Sequence, residues 1–408
     1  MLRKNVENSA YLVKGGDSMI KKLTFLVLLV AAMSLATTLT VIGPWAGTEM
    51  DKFVPVLNEF TKQTGIDIEY KIYRAEDLVN VLPAQFLSKK APGDVIFMWA
   101  NFIREYGKKG HIMPLGNVIN SEEYLPGALN AVTVNGELYG SAYTGKVKPG
   151  FWYRKSFFSE HGLKVPTSWD EFVGLLEKLK NMPNLNAPIA SGNGVGWPLS
   201  DVTEHFLATF GGPKLTYDLI EGNILWDSYT VRNGLEKLAS LISKGYFGEP
   251  TEWTMALQQW WAGDYALYFM GSWITGMVDD PNDLGVFALP GAKGVVFGAD
   301  YAFVPKYTKY PDEAKRLIAW LCGREGQTVQ VSQGGHVATV KGIDLANYPP
   351  VDREIAKIIQ GVTALPDLDD TIGGEFQTTF WDQLKLLWVS PDRLDDVINV
   401  IQEKAPRR

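Results

Sequence analysis

Two periods of hydrophobic and polar positions alternate along this chain, and the switches between them lay out its elements. "TLTVIG" at 38–43 has the pattern of a short buried strand, and Thr48 with Asp51 has the spacing of a capping box. The helix opened there carries Phe53, Val56, Leu57 and Phe60 on one face and stops near Gly65. "IDIEYKI" then alternates apolar with polar, which predicts a strand. A helix around Leu78 to Lys89 leads into "DVIFMW", a continuous apolar run suited to a central parallel strand. This β-α-β-α-β order predicts an open α/β sheet with helices on both faces.

The middle of the chain reads differently. "VTVNGELYG" sets Asn-Gly between short apolar segments and predicts a hairpin. "FWYRKSFF" reads as a strand running into a turn, after which Pro166 and Ser168 with Glu171 open the helix "WDEFVGLLEKLK". Residues 200–270 read as mainly helical, including the tryptophan-rich "TMALQQWWAGDYALYFMGSW". "LGVFALPG" and "GVVFGADYAFVP" are strand-like, and the C-terminal stretch returns to helices. An α/β beginning and a helical middle joined by extended segments imply two lobes.

The N-terminus changes the picture of where the chain works. Residues 19–36, "MIKKLTFLVLLVAAMSLA", have the basic, apolar, small-x-small layout of a secretory signal, with cleavage expected after Ala36. Residues 1–18 are polar and patternless and read as an over-extended N-terminus before a true start at Met19. No cysteine follows the apolar run, which excludes a lipid-anchored mature terminus, so an uncleaved signal is the remaining route to membrane attachment. Roughly 370 residues remain, enough for two cores. The removed segment holds Arg3, Lys4, Lys14, Lys21 and Lys22 against Glu7 and Asp17, so its loss makes the formal charge of −7 still more negative. An acidic surface argues against nucleic acid and anionic membrane as partners. The single Cys322 has no partner for a disulfide and is expected in the core of a helix.

Several chemistries lack their residues. No G-x-x-x-x-G-K-[ST] is present, and "SGNGVGWP" runs into Trp197 and Pro198 rather than a dinucleotide-binding helix, so no nucleotide cofactor is expected. The four histidines are scattered without metal-ligand spacing, and no G-x-S-x-G elbow exists, so neither a metal nor a catalytic residue is assigned. What stands out is tryptophan at glycine- and proline-rich breaks: Trp45, Trp99, Trp197, Trp273 and Trp381. In open α/β sheets ligands sit beyond the carboxyl ends of strands, where Trp45 and Trp99 fall. An indole face packs on the apolar face of a pyranose, while polar side chains take its hydroxyls edge-on; Glu49, Asn101, Lys148 and Asp300 lie near the same breaks.

Five blocks carry a family resemblance: "GPWAGTEMDKFVPVLNEFTKQTGIDIEY", "DVIFMWANFIREYGKKGHIMPL", "NGELYGSAY…FWYRKSFFSEHGLKVPTSWDEF", "WWAGDYALYFMGSW" and "GADYAFVPKYTKYPDEAKRLIAWL". In content and order they resemble the family 1 extracellular solute-binding proteins of ABC importers, the group of the maltose binders. "GWPLSDVTEHFLATFGG" and "GGEFQTTFWDQL" look most like α-glucoside and glucosylglycerol binders. The resemblance implies an α/β, type II clamshell with three interlobe crossovers, near Thr144–Gly150, Val296–Phe303 and Gln333–Ala338. The N-terminal lobe would comprise 37–146 plus 300–334, and the C-terminal lobe 147–299 plus 335–408. It further implies a monomer that binds carbohydrate without catalysis and delivers it to an ABC permease, using Trp45, Glu49, Trp99 and Asn101 from one lobe and Trp197, Trp273 and Trp381 from the other. The maltose binders differ in carrying a charged residue where Asn101 stands and a tryptophan one place before Trp99. A secreted glycoside hydrolase or lyase with a carboxylate pair in the cleft is the alternative, and a receptor feeding a sensor is a third reading.

Overall fold

The computed structural model describes residues 37–407 except 126 and 195, and gives only the backbone of 357–361. The expected signal and its preceding segment lie outside the described residues. The predicted opening unit forms, with β1 (Thr38–Gly43), α1 (Thr48–Thr64), β2 (Asp67–Ile72), α2 (Ala75–Leu87), β3 (Val95–Met98) and α3 (Ala100–Lys108). β1 pairs in parallel with both β2 and β3. Phe53, Val56, Leu57 and Phe60 are the buried face of α1, and Gly65 ends the helix in the left-handed conformation at φ 73°. The expected capping box at Thr48 is absent: Gly47, at φ 54°, takes the N-cap position and Thr48 is already helical.

The chain then runs through β4 (Ser141–Lys148), β5 (Gly150–Arg154), α4 (Trp169–Lys180), β6 (Ala187–Ala190) and α5 (Trp197–Gly211). It continues with α6 (Trp253–Ala262), β7 (Tyr265–Met270), β8 (Leu284–Phe287) and β9 (Gly294–Phe303). The last part comprises α7 (Pro311–Leu321), α8 (Arg324–Ser332), β10 (Val337–Ala338), α9 (Pro350–Gly361), β11 (Thr363–Leu365), α10 (Leu368–Ile372) and α11 (Gly374–Val389). The larger of the two main sheets has the order β10-β4-β9-β3-β1-β2, with β11 added alongside the start of β9; the second is β8-β5-β7-β6. Each is covered by helices, which gives the two-lobed clamshell. β4 and β9 are antiparallel neighbours, and their ladder carries an irregularity between Ala299 and Tyr301.

Local chemistry accounts for the predicted turns. Asn135 and Gly136 have φ of 52° and 82°, the two positive values of a tight hairpin turn. Ser168 caps α4 by accepting from Glu171 N at 3.2 Å, while the Glu171 carboxylate accepts Thr167 N at 2.7 Å. The second lobe closes around Phe151, Phe172, Phe206, Leu267 and Phe380. Burying each such side chain contributes about 1.5–3 kcal/mol. Cys322 is fully buried, as expected.

Two expectations need correction. Tyr265–Met270 is not part of a helix but a strand between β5 and β6, buried at all six positions. A continuous apolar run fits a buried strand as well as a buried helix, so periodicity alone does not separate them. The third crossover also falls later than Gln333–Ala338. β10 still pairs with β4, Val340 bridges Tyr124, and Lys341 N donates to Glu123 O at 2.7 Å, so the chain stays on the first lobe to about residue 341. Beyond it, Asp352 at the start of α9 accepts both from the Thr275 hydroxyl and from Gly335 N at 3.2 Å, so this helix lies against both lobes. A two-residue strand after Gly334-Gly335 carries no periodic signal.

Candidate functional site

Where the lobes meet, β4 and β9 carry a charged group apiece toward the first strand's exit. Lys146 Nζ lies 2.5 Å from Asp300 Oδ1, and Asp300 Oδ2 accepts from the Thr144 hydroxyl at 3.3 Å. Burial alone would lower the Lys146 ammonium, but Asp300 and then Glu49 outweigh it and raise it. Glu49 is half-buried in the first turn of α1. Its burial pushes the carboxyl up to about 7, Lys146 and Arg74 opposing this and Asp300 adding to it. The same Lys146 ammonium sits 5.6 Å over the ring of Trp273, joining the acids of one lobe to an indole of the other.

The indoles form two groups. Trp197 at the start of α5 packs against Trp253 at 5.6 Å and Trp273 at 5.8 Å. Trp381 on α11 meets Trp99, from the first lobe, edge-on at 6.1 Å and 71°. The backbone of Gly196, at φ 127°, presses on Trp381 so closely that a Cβ there would lie 2.3 Å from the Trp381 Cβ. Trp197 and Trp99 are half-buried, while Trp273 and Trp381 are buried.

Behind Trp381 lies a group of carboxylates absent from the sequence-based expectations. Lys148 Nζ is ion-paired with Asp201 and, at 2.5 Å, with Asp367 Oδ2. Oxygens of Glu204, Asp367 and Asp369 all lie within 4.8 Å of one another, a spacing compatible with a hard cation. Protein donors engage those oxygens: Trp381 Nε1 donates to Asp369 at 2.7 Å, Gln377 Nε2 to Asp369 at 3.1 Å and Leu368 N to Glu204 at 2.9 Å. Ser200 donates to Asp369 and, at 3.1 Å, to Glu204. Burial, followed by the charges of Asp367 and Asp369, raises Glu204 well above the ordinary range; Asp201 is pushed up to about 7 and Asp369 to about 6, chiefly by burial. Removed from water, these acids hold protons that exposed carboxyls would release.

The lobes touch on both rims. Arg74 at the start of α2 lies 3.9 Å from Glu252, which caps α6. Arg104 Nη2 on α3 donates to Thr371 O on α10 at 3.1 Å. Gly373, at φ 68°, lets Asn101 lie against the backbone, since a Cβ there would sit 2.5 Å from Asn101 Nδ2.

The expected site residues therefore separate. Glu49 and Asp300 gather around Lys146, and Trp99, Asn101, Trp197, Trp273 and Trp381 stand at or behind the lobe junction. Trp45 does not: it is 3% exposed, and Phe53 at 4.5 Å, Phe97 at 4.6 Å and Tyr143 at 5.8 Å surround its ring in the first lobe's core. The chain folds it back because Gly43 and Gly47 flank a turn beside an aromatic core. Lys148 is also withdrawn, its ammonium held by two buried acids. The missed residues are Lys146, Arg74, Arg104 and the Asp201–Glu204 pair; the last had a signal, two acids three apart inside the otherwise apolar "WPLSDVTEHFL".

The family profile described as bacterial extracellular solute-binding protein matches residues 46–328. An uncharacterized ABC transporter extracellular-binding protein of Pyrococcus horikoshii is 56% identical over 374 residues, covering 91% of this chain and 89% of its own. The osmoprotective compounds-binding protein of Synechocystis sp. is 26% identical over 406 residues, 90% of this chain and 92% of its own. Among solved structures, a bacterial solute receptor with an exclusive preference for β-D-galactopyranose superposes with a TM-score of 0.82 at 15% identity, covering 90% of this chain and 98% of that one. The likeness at that identity concerns the fold. With its paired lobes, its three crossovers and this span of matched sequence, the chain belongs to the bacterial extracellular solute-binding proteins, the binding components of ABC transporters.

Proposed function

We propose that the chain captures a carbohydrate, an oligosaccharide or α-glucoside, between its lobes outside the cytoplasm and hands it as a monomer to an ABC permease, without turnover. The observation that carries this reading is the pairing of Trp197 and Trp273 with Lys146, Asp300 and Glu49 across the lobe junction: flat apolar faces on one side, charged donors and acceptors on the other. Sugars present both kinds of surface. One relative named above is an osmoprotective compounds-binding protein and one solved neighbour of the same fold prefers β-D-galactopyranose, which is in keeping with the class without selecting a member. The signal-like stretch at 19–36 supports export.

Closure around ligand shifts the open and closed populations by the ligand's differential affinity for the closed form. The test is a thermal-shift screen of the purified protein with monosaccharides, maltose, trehalose, sucrose, maltotriose, glucosylglycerol and polyols. A ligand of this site raises the midpoint with concentration, as binding to the folded state requires. Release of free sugar during prolonged incubation would show the glycoside hydrolase alternative instead, and no shift with any carbohydrate would overturn the class.

A further inference from the structure

We propose that Arg104 is a positioning residue that ties closure of the lobes to the placement of Trp381, acting through the short acidic helix α10. The inference rests on the reading of the lobe junction as the binding site. α10 and the residues flanking it are held from three directions. Asp367 reaches Lys148 at the end of β4, and Asp369 and Asp370 accept from Gln377 on α11 at 3.1 and 2.6 Å. Asp369 also accepts the Trp381 Nε1 proton at 2.7 Å. Thr371 O accepts Arg104 Nη2 at 3.1 Å, and that bond comes from the other lobe.

The first lobe's contribution is built on one end of one helix. Trp99 immediately precedes α3, Asn101 lies in its first turn and Arg104 one turn later. These three residues meet the ring of Trp381, the backbone of Gly373 and the carbonyl of Thr371, so opening the lobes breaks all three contacts together. The Arg104 guanidinium on the Thr371 carbonyl is a charge-assisted bond, stronger than one between neutral groups. On closing, Arg104 fixes Thr371, and the Asp369–Trp381 and Gln377 bonds carry that constraint to the indole.

The test uses the full chain without ligand. Spin labels go on Lys62→Cys in α1 and Lys214→Cys in the second lobe, whose parent lysine side chains are 77% and 83% exposed; Cys322 is buried and escapes labelling. The distance distribution should contain a closed component, and Arg104→Ala should reduce its ratio to the open one by about tenfold, the lower end for losing a hydrogen bond to a charged group. Arg104→Lys, which keeps a charged donor, should restore most of it. In 5-fluorotryptophan protein, the fluorine resonance of Trp381, assigned with Trp381→Phe, should shift in Arg104→Ala while that of Trp45 stays in place. The proposal is overturned by a parent chain lacking the closed component, by distances unchanged in Arg104→Ala, by lysine failing to restore them, or by an unmoved Trp381 signal. Failure to bind any sugar would leave these ligand-free readouts intact, so the two readings fail separately.

Discussion

Replacing Glu204 by glutamine isolates the cost of holding a carboxyl in the fold without its charge. Glu204 is 3% exposed, accepts Leu368 N at 2.9 Å and the Ser200 hydroxyl at 3.1 Å, and lies against Asp369. Burial and the charges of Asp367 and Asp369 raise it well above its usual 4.5. A carboxyl raised on folding contributes stability that is complete below its unfolded value and is lost as pH rises toward the folded one. At pH 7 the unfolded chain has released this proton, and folding takes it back. Each pH unit that separates the unfolded value from the folded one costs about 1.4 kcal/mol. Glutamine has the shape of the protonated acid, keeps an acceptor for Leu368 N, offers a donor to Asp369 and carries no such cost. Glu204→Gln should match the parent at pH 4 and exceed it increasingly as pH rises to 7, by roughly 1–3 kcal/mol, the usual cost of a poorly accommodated buried polar group, or a few degrees in midpoint. Calorimetric or fluorescence melts from pH 4 to pH 8 read the difference directly. Parallel pH curves for the two proteins, or a variant weaker at pH 7 than at pH 4, would refute the reasoning.

Two further outcomes follow from the same geometry. Lys148→Met strands Asp201 and Asp367 beside each other in the interior, and should cost about 3–5 kcal/mol at pH 8 and clearly less at pH 5, where Asp201, already raised by burial, takes up a proton, as read from denaturant midpoints. Trp45→Ala empties an aromatic core site and should cost about 3–5 kcal/mol while leaving the carbohydrate affinity of the folded fraction unchanged by calorimetry; a loss of affinity matching that of Trp197→Ala would return Trp45 to the site.

Local chemistry was readable wherever the chain wrote it locally. The first five elements follow from periodicity, and the Asn135-Gly136 turn and Ser168 cap follow from residues adjacent to the feature they create. Lys148 shows the opposite case: its partners stand 53 and 219 positions away, so the sequence displayed a lysine beside a break and nothing that would bury it. Trp45 and Trp197 sit in similar glycine-rich turns, yet one folds back onto Phe53 and the other stands at the lobe junction. That difference depends on which aromatic neighbours the completed sheet supplies. β7 escaped because a fully buried strand has no polar face to set its period.

The irregularity in the β4–β9 ladder bears on the order in which a ligand would meet its contacts. Pairing runs from Val296 opposite Lys148 to Ala299 opposite Gly145, then resumes at Tyr301 opposite Ala142, so Asp300 falls where the ladder loses register. A sheet bends most readily at such a step. If the lobes rotate about it, Asp300 and its partner Lys146, lying at the step, travel little, while the interlobe contacts of Trp381 and Arg104 must part. The fixed charges at the axis then present the same face to an arriving solute in either conformation, and the outer groups register only a solute that has stayed.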